Sequence, residues 1–197
     1  MKKFSFFKAP ISNNVPSEDI PLSLLYRYIV EGHYTSLTND YRAITDHVQA
    51  QAFKTRRLDY VTFSGTFSKR KDDCLIEHSG YMVLDIDKQQ EVSSIRERLI
   101  TYTVLDPQLI FVSPSGNGLK VVVEYDVEEI HQDMGERNME SLWRAINQHF
   151  VHNYKDLIVP DERGNYIDPS GKDLSRACFI CHDENCFINP KILNNVK

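Results

Sequence analysis

From Gly80 to Cys181 the chain alternates short β-patterned runs with amphipathic stretches in a fixed order, and that order restricts the folds open to it. Tyr81–Asp87 reads as a strand, and Val92, Ile95 and Leu99 mark a short helix. Leu109–Val112 and Leu119–Glu124 read as strands joined by Ser113-Pro-Ser-Gly-Asn-Gly118. A longer helix follows, with Ile130, Met134, Leu142, Ile146 and Phe150 near one face, and Arg176–Cys181 reads as a last strand. The order β-α-β-β-α-β predicts a split βαβ unit, the ferredoxin-like or RRM-like plan. In that plan the first strand is central and antiparallel to the third and fourth. The end of the first strand and the starts of the other two then meet at one sheet edge.

Upstream, Leu22, Leu25, Tyr26 and Ile29 fall at helical spacing behind Pro21, a favoured helix-start residue. A second helical stretch runs from about Asn39 to Lys54, and Asp59–Phe63 reads as a strand. The expected fold class is therefore α+β. The length of 197 residues suits one domain. Apolar residues at 41% are enough for a core, and 23 basic against 28 acidic residues give −5, which excludes a generally basic nucleic-acid coat. No apolar run approaches the ~18 residues of a membrane span, and Lys8 interrupts the apolar start before a secretory signal could form. The expected setting is cytoplasmic, with no membrane partner.

Three polar motifs fall at the expected sheet edge. In Tyr81-Met-Val-Leu-Asp-Ile-Asp87, strand alternation puts Asp85 and Asp87 on one face and Leu84 and Ile86 on the other. Their Cα atoms would lie about 7 Å apart, from a rise of ~3.3 Å per residue. Carboxylates that close suit a hard divalent cation, Mg²⁺ or Mn²⁺, or else mark a solvated strand end. The loop with Ser113, Ser115, Gly116 and Gly118 offers N–H groups and hydroxyls to phosphate, and Lys120 adds a cation just past it. It also reads as an ordinary hairpin turn. The third motif, Tyr166–Arg176, brings Asp168 and Arg176 to the last strand, as site residues or as a surface ion pair.

Of the four cysteines, three lie in Cys178-Phe-Ile-Cys181-His182-Asp-Glu-Asn-Cys186. With His182 they form a soft-ligand set at a spacing zinc uses. Phe179 and Ile180 inside the CxxC instead fit a buried strand, and a reducing compartment disfavours disulfides. Residues 54–71 hold Lys54, Arg56, Arg57, Lys69, Arg70 and Lys71 against Asp59, a charge of +5 that leaves −10 for the remainder. Phe63 and Phe67 interleave these cations and could stack on bases, or belong to the core of a charged hairpin.

The strings Thr62–Phe67, His78–Asp87, Ser113–Lys120 and Asp173–Phe179 resemble the VirE N-terminal domain family. That family looks like a primase-polymerase branch of the archaeo-eukaryotic primase superfamily and occurs in mobile-element and phage-like proteins. The resemblance implies a two-part core, an N-terminal α/β unit (residues 1–78) packed on an RRM-like unit (residues 79–190). The resemblance implies that Asp85 and Asp87 match the metal-binding DxD and that Asp168 is the third carboxylate, with Asp173 as its rival. It also implies that the Ser113–Lys120 loop contacts the incoming nucleotide, with Lys120 standing where many members have His.

The expected function is nucleotide addition on a single-stranded template. Asp85, Asp87 and Asp168 would hold two Mg²⁺ or Mn²⁺ ions, which activate the 3′-hydroxyl and stabilise the pyrophosphate. Ser113, Ser115, Gly116, Gly118, Lys120 and Arg176 would position an NTP or dNTP, and Lys54, Arg56, Arg57 and Arg70 would bind nucleic acid. The alternative is a degenerate nucleic-acid- or nucleotide-binding module that docks a helicase-like partner. A third reading is a metal-dependent nuclease.

Overall fold

The computed structural model describes residues 1–102, 104–128 and 138–194. The chain is mixed α+β, and its strands form two four-stranded antiparallel sheets and a hairpin. The first sheet has the order β2-β1-β3-β9, built from β1 (Lys3–Phe7), β2 (Glu18–Pro21), β3 (Tyr60–Thr62) and β9 (Cys178–Phe179). The second has the order β10-β7-β8-β6, from β6 (Tyr81–Ile86), β7 (Leu109–Val112), β8 (Leu119–Glu124) and β10 (Phe187–Ile188). The hairpin is β4 (Gly65–Phe67) with β5 (Leu75–His78). Sequence reading did not anticipate β1, β2, β10 or this hairpin. The two-residue strand is too short for a period to register, and β1 pairs with strands far along the chain.

Strand alternation builds the core in two layers. On β6, Tyr81 and Val83 face one side and join Phe4, Phe6 and Val61 of the first sheet with Leu109, Phe111 and Val122 of the second. Helix α1 (Leu22–Val30) seals this layer with Leu22, Leu25 and Ile29. Met82, Leu84 and Ile86 face the other side, against Ile95 and Leu99 of α4 (Val92–Thr101) and Trp143 and Phe150 of α5 (Asn138–Asn153). Each fully buried large side chain contributes about 1.5–3 kcal/mol, so both faces of β6 are strongly fixed. A one-residue slip would exchange the two faces, so the register is well determined. Ile130 and Met134, expected on the helical face of α5, lie outside the described residues.

Two expected elements differ in a way that shapes the site. The helix expected over about 39–54 is two helices, α2 (Thr35–Arg42) and α3 (His47–Arg57). Asp46 makes the break, because its side chain accepts a hydrogen bond from Gln49 N at 2.8 Å and caps α3. The last strand also departs from the ferredoxin-like plan: β9 pairs with β3 rather than β6, which leaves β6 at the end of its sheet. Residues of the expected second unit thus complete the sheet of the first. Asp168 starts along the outer edge of β6 by donating its N–H to Asp85 O at 2.9 Å. Pro169 then cannot extend a ladder, and Pro169–Lys172 forms a 3₁₀ turn. A Cβ on Gly171 would stand 2.8 Å from Val83 O, so the close approach of this turn requires glycine. After the turn the chain crosses to β3.

Candidate functional site

Past Val83 the inter-sheet face of β6 becomes charged at Asp85 and Asp87, where the two sheets open into a cavity of 540 Å³. That volume is within the range of small-molecule sites. Asp85, Asp87 and Asp168 line it, and they offer carboxylate oxygens that lie within 4.8 Å of one another. Ser113, Ser115, Lys120, Arg176, Lys54 and Arg70 line the same cavity. The three expected motifs do converge, although β9 does not bring them together. Asp168 reaches the site because the 3₁₀ turn occupies the β6 edge that the fourth strand was expected to fill.

Asp85 is 3% exposed and stands directly across from Lys120 in the β6–β8 register. Lys120 Nζ is 2.8 Å from Asp85 Oδ1 and 3.8 Å from Asp87 Oδ1. Arg176 Nη2 is 3.1 Å from Asp85 Oδ2 and 3.8 Å from Asp168 Oδ2. Burial would depress the Lys120 pKa, but the Asp85 and Asp87 charges outweigh it and hold the ammonium above its ordinary value. Arg176 behaves in the same way, burial being opposed by Asp85 and Asp168. Burial acts to raise the Asp168 carboxyl, yet hydrogen bonds from Ser170 and the nearby cations bring it below the usual range. Lys54 moves down, first by burial and then by the Lys120 charge. The cavity therefore holds three carboxylates faced by cations that remain charged.

The residues expected to cradle phosphate divide. Ser113 and Ser115 share a hydrogen bond at 3.0 Å, and both line the cavity. Gly116 and Gly118 do not. A Cβ on Gly118 would sit 2.5 Å from Ile86 O, so this glycine packs the hairpin onto β6, while Gly116 lies against Arg42. Arg42 holds the loop from α2, donating from Nε to Pro114 O at 3.0 Å and from Nη2 to Ser113 O at 3.4 Å. Neither Arg42 nor the cavity-lining Tyr41 carries a local sequence signal; both were hidden inside the expected helix. Asp173, the rival carboxylate, lines the cavity outside the metal-capable group.

The basic stretch divides as well. Lys54 Nζ lies over the Phe179 ring at 5.4 Å, and the Arg70 guanidinium lies over Tyr60 at 5.4 Å. Arg56 and Arg57 are exposed and lie off the cavity, with Arg57 over Phe53. Phe63 and Phe67, which could have stacked on bases, are instead buried in the protein. Cys178, Cys181 and Cys186 are free and buried, and burial pushes the Cys181 thiol up to about 12. Cys181 Sγ donates to Val112 O, and His182 Nδ1 meets Ile29 O at 2.8 Å. Among the described residues the Asp85–Asp87–Asp168 cluster is the only metal-capable group; the cysteines and His182 are not gathered into a zinc set, in keeping with the buried-strand reading of Cys178–Cys181.

A family model described as BT4734-like, N-terminal domain, matches residues 53–187. The chain belongs to the BT4734-like N-terminal domain family. The stretch matched to the BT4734-like model contains all three carboxylates, Lys120, Arg176, Lys54 and Arg70, and leaves Tyr41 and Arg42 outside it. No curated protein and no solved structure matches the chain. Among the described residues, no helix is long and apolar enough to cross a membrane.

Proposed function

We propose that this chain is the nucleotidyl-transfer domain of a primase-polymerase-type replication protein, acting on a single-stranded template with Mg²⁺ or Mn²⁺. The observation that carries the reading is the meeting of three carboxylates with Lys54, Lys120, Arg70 and Arg176 on the walls of one cavity. The donor set fits a hard divalent ion: all three ligands are carboxylate oxygens, and they lie within 4.8 Å of one another. Asp85, Asp87 and Asp168 would hold the metal, which when bound supplies charge stabilisation and a more acidic attacking hydroxyl.

The protein's own groups do the positioning. Lys120 and Arg176 bind phosphate oxygens of an NTP or dNTP, and the Ser113 and Ser115 hydroxyls orient them. Lys54 and Arg70, on the wall formed by α3 and the β4–β5 hairpin approach, take the backbone of the single strand. A mobile or phage-like element and a helicase-like partner belong to the same proposal and rest on the family resemblance, while a cytoplasmic setting rests on the sequence reading of the N-terminal segment and the apolar runs. The test is incorporation of labelled NTP or dNTP on single-stranded DNA with Mn²⁺. Wild type should extend the strand and the Asp85→Ala/Asp87→Ala variant should not. If wild type binds DNA yet is as inert as that variant, or degrades the strand instead, the reading is lost.

One observation favours a second reading, a binding module without transfer activity. The Lys120 ammonium, standing where the resembled primases have His, already pairs with Asp85. That reading predicts DNA binding that survives Asp85→Ala/Asp87→Ala and falls on Arg70→Glu.

A further inference from the structure

Both oxygens of Asp85 face a cation, Oδ1 at 2.8 Å from Lys120 and Oδ2 at 3.1 Å from Arg176. Lys120 also reaches Asp87 at 3.8 Å, and Arg176 reaches Asp168 at 3.8 Å. Each cation thus bridges two of the three carboxylates, and Asp85 is shared by both. The Lys120 side chain is 12% exposed and comes from the strand position paired with Asp85, so it is held there by the sheet as well as by charge. With the cluster at −3 and the two cations at +2, the site retains about −1 for an incoming ion. In a cavity of lower dielectric than water, a unit charge about 4 Å away is poorly screened. A bare divalent ion entering here would meet Lys120 and Arg176 as repelling neighbours.

Resting on the metal–nucleotide reading above, we infer that Lys120 and Arg176 are resident counter-ions of the carboxylate cluster, which exchange their carboxylates for a triphosphate so that metal and triphosphate bind cooperatively. The exchange conserves partners. A triphosphate brings acceptor oxygens on which the ammonium and guanidinium re-form their contacts, and the carboxylates they leave are taken by the divalent ion. Metal alone gains the carboxylates but strands two cations. Triphosphate alone must compete with Asp85 for the same cations. Only the pair leaves each cation and each carboxylate with a partner of opposite charge. Linkage requires the coupling to be reciprocal, and ordinary couplings run from about 5-fold to 150-fold. A Lys at this position thereby acts as a positioning residue that makes metal occupancy report on nucleotide.

The decisive readout is Mn²⁺ binding to the full chain, followed by loss of the free-ion paramagnetic resonance signal, with no turnover involved. Wild type should bind Mn²⁺ alone weakly, whereas Lys120→Gln should bind it at least about tenfold tighter. Arg176→Gln, at a more exposed side chain, should tighten it in the same direction and serves if Lys120→Gln does not fold. Calorimetry with α,β-methylene-ATP should show its Mn²⁺ complex binding wild type at least about tenfold tighter than the metal-free nucleotide in EDTA, with that ratio reduced in Lys120→Gln. Equal Mn²⁺ affinity in wild type and both variants, or no tightening of the nucleotide by the metal, would overturn the inference. Mn²⁺ binding that is unchanged by Asp168→Asn would show that the metal sits elsewhere, and it would overturn the metal reading itself.

Discussion

Lys120 and Asp85 face each other in the β6–β8 register, and the pair determines how the site tolerates change. A buried ion pair adds little net stability over an apolar substitute, but removing one partner strands the other charge at a cost of about 3–5 kcal/mol. Asp85→Asn leaves both Lys120 and Arg176 without their shared carboxylate. It should lower unfolding stability in urea by about 3 kcal/mol, near the low end of that range because Lys120 keeps Asp87 within reach. Asp87 is 49% exposed and more distant from Lys120, so Asp87→Asn should change stability by less than about 0.5 kcal/mol. Similar losses for the two variants would contradict the assignment of Asp85 as the keystone of the cluster. At this scale the sequence revealed part of the site. Period-two alternation was enough to put Asp85 and Asp87 on one face, because it depends on neighbours only. It could not pair Lys120 with Asp85 or seat Arg42 on the Ser113 loop, because those contacts depend on register and on a helix some 70 residues away.

At the level of elements, small capping and tethering contacts carry functional side chains into place. Asp46 caps the helix that presents Lys54, so Asp46→Ala should cost about 1 kcal/mol in thermal or urea unfolding. Asp183 accepts from Arg96 Nη2 at 2.6 Å and from Val112 N at 2.7 Å, and thereby ties α4 to the end of β7 just before the Ser113–Gly118 loop. Both side chains are largely buried, so Asp183→Ala should destabilise by about 3–5 kcal/mol and loosen that loop. Asp106 lies at the other end of β7, where Lys191 of helix α6 (Pro190–Asn194) holds its carboxyl below the usual carboxylate range, with help from Asn189. A carboxyl depressed in the folded state adds stability above its unfolded pKa and loses it as pH falls through the folded value. Carbon-detected NMR should find Asp106 titrating below ordinary aspartates, and Lys191→Ala should move it back up. Legibility here depended on length. The helices α1 and α4 show their apolar spacing clearly, whereas β10 is two residues long and gives no period.

For the whole molecule, the two sheets share one apolar layer, and the cavity opens where that layer gives way to charge on β6 and β8. The ferredoxin-like plan was a useful guide to β6, β7 and β8, whose order and antiparallel register follow it. It failed at the fourth strand, because Pro169 and Gly171 turn the chain along β6 and release it to the first sheet. Convergence of the carboxylates survived because Asp168 is fixed before that turn, by its own N–H on Asp85 O. Gly171→Ala should therefore lower the melting temperature and weaken Mn²⁺ binding together, since an added Cβ would push the turn, and Asp168 with it, off the edge of β6. A normal Mn²⁺ affinity in a destabilised Gly171→Ala protein would separate the turn from the site and contradict this account. The central claim is that Asp85, Asp87 and Asp168 together hold a divalent ion beside a nucleotide. Its most direct test is anomalous diffraction from crystals grown with Mn²⁺ and α,β-methylene-ATP. The account predicts a manganese peak among the three carboxylates, with phosphate oxygens against Lys120 and Arg176; nucleotide bound with no peak there, and with Lys120 still on Asp85, would contradict it.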